Sequence, residues 1–332
     1  MPYPKIELHV HFEGTVRPAT LLEIARRNDY PLPCTTLEEV EAMYAFRDFD
    51  HFLDVFVLTT GALQRADDFR QIVVDYAAEA AGHGAVYIEG IFAPGLRREE
   101  VDTDELFSGY CDGAQEAREL HGIEIVLTPD IPRVYTLDEA FDVVRWALKY
   151  RDRGIAGIGL GGPEIGNPPE RYTEAFELAR AEGLASVPHA GEHDDSVRGA
   201  LESLSAVRIR HGIRAGEDPE LVRELADRRI VLDICPLSNV RTKAVASLDV
   251  HPLPRLAAAG VLCSISTDDP AMFGTDLSRD YDAATSLGLE PRSFYDAGLA
   301  GALCDEATRS RLTAVGESFD WDAVSPLRSS AP

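Results

Sequence analysis

Positive charge is scarce in this chain of 332 residues. Lysine and arginine together number 32 against 57 aspartates and glutamates, a formal net charge of −25. A surface this acidic repels phosphate backbones and anionic lipid, so neither nucleic acid nor a membrane surface is expected as a partner. Most of the excess reads as solubilising surface charge. Cysteine is also sparse. Cys34, Cys111, Cys235, Cys263 and Cys304 are scattered, odd in number and never arranged as CxxC. That pattern argues against a disulfide framework and for a reducing, cytoplasmic setting. The amino terminus, MPYPKIELHVH, lacks a basic stretch followed by an apolar one, and no run of about 18 apolar residues occurs anywhere, so no signal peptide or membrane span is expected. Low-complexity blocks, heptad seams and Ser/Gly linkers are missing too, which leaves residues 1–332 to be read as one domain. With 45% hydrophobic residues there is ample material for a large core without staples.

What is present is an alternation. Short β-rich apolar runs occur at residues 6–11, 85–92, 123–129, 155–160, 185–189, 208–211, 230–235 and 261–267. Between them lie segments of helical period, such as 137–150, 171–182 and 218–227. Thr136 and Asp138 supply start signals for the first, and Pro219 for the last. Eight nearly continuous apolar strands separated by helices imply a parallel sheet buried on both faces. With eight of them the economical closure is an α/β fold of the (β/α)8 TIM-barrel type. No GxGxxG turn follows the first strand, which disfavours a doubly wound sheet. The first connection is much longer than the rest, and 18–28, 49–60 and 67–83 within it look helical. These are read as extra helices inserted after strand 1, near the barrel mouth.

In such a barrel the chemistry sits where the strands end. The polar residues at those ends are His9 and His11, Gly161-Gly162, His189-Ala190-Gly191-Glu192, His211-Gly212 and Asp268-Asp269. Each alone is modest. His9 and His11, at i and i+2 on a strand, point the same way and suit a metal, but two satisfied polar side chains would look alike. A lone His189 or His211 would more often bond to backbone, and Asp268-Asp269-Pro270 could be a helix N-cap. Together they change the odds: three imidazoles and a carboxylate converging on one mouth suit zinc or a similar divalent ion. Two-metal barrel hydrolases commonly bridge their ions with a carbamylated lysine at the end of strand 4. The only lysines here are Lys5, Lys149 and Lys243, none at that position, so a single ion per chain is expected.

The motifs PKIELHVHFEG, PHAGE, RHG and STDDP, at strand ends 1, 5, 6 and 8, resemble the adenosine deaminase family of the amidohydrolase superfamily. The resemblance runs from about Pro4 to near Gly288. It implies that His9, His11, His189 and Asp268 are zinc ligands and that Glu192 donates a proton to a purine ring. It also implies that Gly162 and Asp269 grip ring nitrogens and that His211 lies beside the attacking water. The chemistry is coherent. Zinc acidifies water from a pKa of about 15.7 to about 7, and an amidine carbon accepts a nucleophile once an adjacent ring nitrogen is protonated. The expected reaction is hydrolytic removal of a 6-amino group, giving the 6-oxo purine and ammonia. Another mononuclear amidohydrolase reaction, on an amide or phosphoester, is the rival enzyme class.

Three positions depart from adenosine-specific members. Those carry Asp after H-x-H, where this chain has Glu13. Their second strand reads E-V-R-[YF]-x-P, against Glu89-Gly90-Ile91-Phe92-Ala93-Pro94 here, and their A-G-D-E is replaced by Gly161-Gly162-Pro163-Glu164. The sugar end of the substrate is therefore the open question. His11 and Glu13 are expected to face it. Glu13 could fill the ribose space, as in adenine deaminases. It could also meet a 5′ extension, as in deaminases of 6-aminodeoxyfutalosine, an adenosine with a carboxyphenyl-bearing 5′ group, or reach the ordinary 5′-hydroxyl. Adenine deaminases favour an F-F-D-P-type second strand, and this chain lacks that aspartate. A nucleoside, adenosine or a 5′-modified relative, ranks above free adenine. Oligomeric state is not legible.

Overall fold

The computed structural model describes residues 3–46, 49–97 and 101–325. In it the apolar runs become parallel strands. β1 (Lys5–His11), β2 (Ala85–Phe92), β3 (Glu124–Pro132) and β4 (Gly157–Gly161) pair in chain order. β5 comes in two pieces, Ala185–Ser186 against β4 and His189–Ala190 against β6 (Arg208–His211). The break falls at Pro188, which has no N–H for the ladder, although its carbonyl accepts from Arg210 N–H at 3.0 Å. β7 (Val231–Ile234) and β8 (Leu262–Ile265) follow. Past β8 the chain returns to β1. His11 N–H donates to Asp268 O at 2.8 Å and Asp268 N–H to His9 O at 3.1 Å, which closes the barrel.

β1 contains a bulge that matters for the site. Between the pairs Glu7–Ile88 and Val10–Gly90 it carries one residue more than β2. The Leu8 and His9 N–H groups both donate to Ser266 Oγ, each at 3.1 Å. A bulge re-aims the side chains around it. Here Ile6 and Leu8 pack into the barrel floor against the helix Pro291–Gly301, while His9 and His11 turn to the mouth. The floor is sealed by a buried charge cluster in which Arg208 reaches Glu89 and Asp233, both at 2.6 Å.

The long first connection holds α1 (Pro18–Arg27), α2 (Leu37–Met43), α3 (Phe49–Ala62) and α4 (Ala66–Gly82). α4 packs on β2 and on α5 (Thr103–His121), the place of an ordinary barrel helix, so α1–α3 are the additions. α2 was not expected, yet it starts on a full capping box in which Thr36 and Glu39 satisfy each other's backbone N–H. α6 (Leu137–Lys149) starts the same way, on Thr136 and Glu139. The segment expected to be helical from 171 divides into a 3-10 turn, Pro169–Tyr172, and α7 (Thr173–Ala181). Among the described residues no helix is long and apolar enough to cross a membrane.

Candidate active site

The barrel mouth gathers the residues singled out from the sequence. His9 and His11 come from β1, His189 from β5, His211 from the end of β6 and Asp268 from the turn after β8. Asp268 and His211 have φ of 68° and 63°. Left-handed backbone at residues other than glycine is strained and is retained where surrounding structure over-determines it.

Four donor atoms converge. His189 Nε2 lies 3.1 Å from both His9 Nε2 and His11 Nε2. Asp268 Oδ1 lies 3.3 Å from His9 Nε2 and 3.4 Å from His11 Nε2. Four ligands about 2.1 Å from one ion at tetrahedral angles would stand about 3.4 Å apart, so this donor set fits a divalent ion. Burial lowers the pKa of His9 well below the ordinary value, and that of His11 to about 4. Neutral imidazoles present the lone pairs that a metal requires. His9, His211 and Cys235 also lie close together. Cys235 Sγ lies 3.6 Å from His9 Nδ1, the nitrogen on the opposite side of the ring from the Nε2 that faces His189 and Asp268. The fit therefore favours His9, His11, His189 and Asp268.

Beside this cluster Glu192 is tightly held. Its Oε1 accepts from Thr242 Oγ1 at 2.8 Å and Asn239 Nδ2 at 3.2 Å, and its Oε2 lies 3.5 Å from His211 Nε2. The backbone of the same loop is anchored by Glu164, which follows β4. One Glu164 oxygen accepts from the N–H groups of Glu192 (3.1 Å), His193 (2.7 Å) and Asp194 (3.0 Å). Asn239 also meets His211 Nδ1 at 3.1 Å. Ser238 Oγ donates to Asp268 Oδ2 at 2.6 Å. Ser238, Asn239 and Thr242 all follow β7, a strand end where the sequence showed no histidine or acid to draw attention. The only signal was the polar run Ser238-Asn239 just after Cys235-Pro236.

Asp269 packs against Gly14, the residue after Glu13. A Cβ on Gly14 would overlap Asp269 Oδ1 and come within 2.6 Å of the Asp269 Cβ, so only glycine admits that carboxyl. Asp269 Oδ1 is buried without a hydrogen-bond partner. Burial, and then the adjacent Asp268, hold its pKa well above the usual range. Glu13 Oε1 accepts from Ala93 N–H at 2.9 Å, while its Oε2 is buried and unpartnered. Burial raises the Glu13 pKa to about 7, with the Tyr110 hydroxyl nearby but outside hydrogen-bond geometry. Ile91, which stands where the family pattern has arginine, is buried in register with His11. Gly162 lies at the exposed end of β4 with φ 96°, a left-handed turn natural to glycine.

Three imidazoles and a carboxylate at the mouth of a parallel α/β barrel, with an acid and a fourth imidazole beside them, define a metal-dependent hydrolase of the amidohydrolase type. The sequence model of adenosine deaminase matches residues 4–314, and the chain belongs to that family of hydrolytic deaminases. An aminodeoxyfutalosine deaminase of Acidothermus cellulolyticus is 51% identical over 96% of this chain and 92% of its own length. An adenine deaminase of Cupriavidus necator is 38% identical over 84% of this chain and 80% of its own. In structure, adenine deaminase from Arthrobacter aurescens superposes with a TM-score of 0.88 at 30% identity, covering 95% of this chain and 98% of that one. An amidohydrolase from Burkholderia ambifaria with bound Zn gives 0.88 at 28% identity, covering 99% and 93%.

Proposed function

We propose that this protein is a zinc-dependent deaminase of an adenine-containing nucleoside with an extended 5′ end, 6-aminodeoxyfutalosine being the best-supported substrate. The observation that carries the reaction is Glu192, held at Oε1 by two side-chain donors with Oε2 3.5 Å from His211 Nε2 and 3.6 Å from His193 Nε2. The substrate reading leans on the 51% identity to an aminodeoxyfutalosine deaminase, against 38% to an adenine deaminase. The whole chain is read as one catalytic unit acting in the cytoplasm, which suits its free cysteines.

One ion is to be held by His9, His11, His189 and Asp268. Zinc is favoured by the imidazole-rich donor set and by the zinc found in the Burkholderia relative. Bound there, it supplies a nucleophilic oxygen at neutral pH by acidifying water. The chain does the rest. Glu192 delivers a proton to ring N1, making C6 electrophilic. Because Asn239 and Thr242 occupy Oε1, Oε2 is the oxygen that carries this proton. His211, kept in place by Asn239, orients the attacking water and stabilises its developing charge. Asp269 bonds N7, and the Gly162 backbone meets the ring from the opposite strand end. The water oxygen bonds C6, which becomes tetrahedral; of the water's two protons one passes to the amino nitrogen and the other restores Glu192, and the C–N bond breaks to release ammonia and the 6-oxo purine with N1 still protonated. Glu13, whose Oε2 has no protein partner, accepts from the sugar side of the substrate.

Free adenine is the second reading, favoured by the Arthrobacter structure. Steady-state comparison of 6-aminodeoxyfutalosine, adenosine and adenine separates the two. The expected result is a kcat/KM for 6-aminodeoxyfutalosine at least roughly 100-fold above the others. Equal values would remove Glu13 as a selector, and a maximum for adenine would replace the nucleoside reading.

A further inference from the structure

β4 is poor in side chains: Gly157, Gly159 and Gly161 are three of its five residues, and Gly162 follows directly. The space they leave is filled. A Cβ on Gly159 would collide with Asp130 Oδ1 and Arg210 Nη1, and one on Gly161 with Asp130 Oδ2. Asp130 from β3 and Arg210 from β6 form an ion pair against this bare face, and at 2% and 0% exposure they are sealed from water. Arg210 Nη2 also donates to Thr128 Oγ1 at 2.6 Å. Arg210 directly precedes His211, yet it takes no part in the chemistry above.

The pair ends on a histidine of the four-donor cluster. Asp130 Oδ2 lies 3.1 Å from His189 Nδ1, in charge contact but outside hydrogen-bond geometry, and has no hydrogen-bond partner of its own. The Leu160 carbonyl lies 3.1 Å from the same nitrogen. Both neighbours can only accept, so Nδ1 carries the hydrogen and Nε2 turns its lone pair toward His9 and His11. A carboxylate behind a ligating histidine fixes its tautomer and ring orientation and makes the ligating nitrogen a better donor. A buried carboxylate can persist there only if its charge is matched, and Arg210 matches it.

We propose that Asp130 and Arg210 are a positioning pair for the metal centre, with Arg210 pinning Asp130, Asp130 fixing His189, and the glycines of β4 making the room. Neither residue touches substrate. The inference rests on His189 being a metal ligand.

The test is zinc affinity of the full chain, measured by competition with a chromophoric chelator, for the unsubstituted protein and the charge-neutral double variant Asp130→Ala/Arg210→Met. The visible spectra of both proteins saturated with cobalt(II) are recorded alongside. The expected result is binding weaker by about 10–100-fold and a shifted cobalt spectrum. Affinity within about twofold of the unsubstituted protein overturns the proposal. Weaker affinity with an unchanged cobalt spectrum also overturns it, because the loss then reflects a looser fold. If the double variant does not fold, Gly159→Ala, which displaces the pair without deleting either charge, is read by the same two outcomes. Absence of zinc binding by the unsubstituted protein would instead overturn the metal-centre reading itself.

Discussion

Replacing Glu192 with glutamine removes one transferable proton while leaving shape and neighbours nearly intact. Oε1 accepts from Thr242 Oγ1 at 2.8 Å and Asn239 Nδ2 at 3.2 Å, and an amide oxygen can take both bonds unchanged. The new NH2 then occupies the position of Oε2, 3.5 Å from His211 Nε2, and it cannot protonate a ring nitrogen. General acid catalysis contributes about 10²–10⁴-fold, which at about 1.4 kcal/mol per factor of ten is about 3–5 kcal/mol of barrier. Glu192 is not one of the four clustered donors, so zinc content should stay at the level of the unsubstituted protein. The assay is the initial rate of ammonia release, with metal content measured on the same sample. A kcat within tenfold of the unsubstituted enzyme, at equal zinc content, would refute Glu192 as the proton donor.

Gly14→Ala forces Asp269 aside, because the new Cβ would overlap its Oδ1. Misplacing a substrate-gripping group by about 1 Å can cost on the order of 100-fold, so kcat/KM should fall by about that much with zinc content unchanged. Unaltered kinetics would mean that Asp269 does not grip the ring. Asp280 offers a test of pH dependence away from the chemistry. Its carboxyl accepts from Leu237 N–H at 3.0 Å and Thr275 Oγ1 at 2.8 Å, and burial raises its pKa well above the ordinary value of 3.8. The unfolded chain releases this proton first, so the stability linked to it is complete below the ordinary aspartate range and is lost as pH rises above it. Asp280→Asn should therefore gain thermal stability relative to the unsubstituted protein as pH rises from about 4 to about 8. A difference in Tm that does not change over that interval would contradict the assignment.

The barrel was largely legible because its signals are local. The apolar runs at 6–11, 85–92 and 208–211 became β1, β2 and β6 with bounds shifted by at most one residue. The run at 123–129 extends as β3 to Pro132, since pairing with β4 carries it further than its apolar character does. α2 could have been read from Thr36 and Glu39, a capping box preceding only seven helical residues. The helices Pro291–Gly301 and Glu306–Ser318 lie beyond the motifs. In the site, His9, His11, His189, His211, Glu192, Asp268 and Asp269 stood out because each sits at a strand end. Ser238, Asn239, Thr242, Glu164, Asp130 and Arg210 did not. Their residue types are ordinary in loops and strands, and only their partners give them meaning.

The sequence by itself determined the set of donors, the eight-strand alternation that brings strand ends to one mouth, and the family to which the motifs belong. The alternation follows from periodicity and chain order, which are properties of neighbours along the chain, while the donor set and the family are what the resemblance of the four motifs implies. The tertiary structure alone decided how His9 is aimed, because the bulge in β1 is held by Ser266, 257 residues away. It alone decided that Asp130 stands behind His189 with Arg210, 80 residues further on, against it. It also decided why Glu13 is followed by glycine: that position must admit the Asp269 carboxyl. Such contacts join segments that meet only when the barrel closes, and no local pattern encodes them.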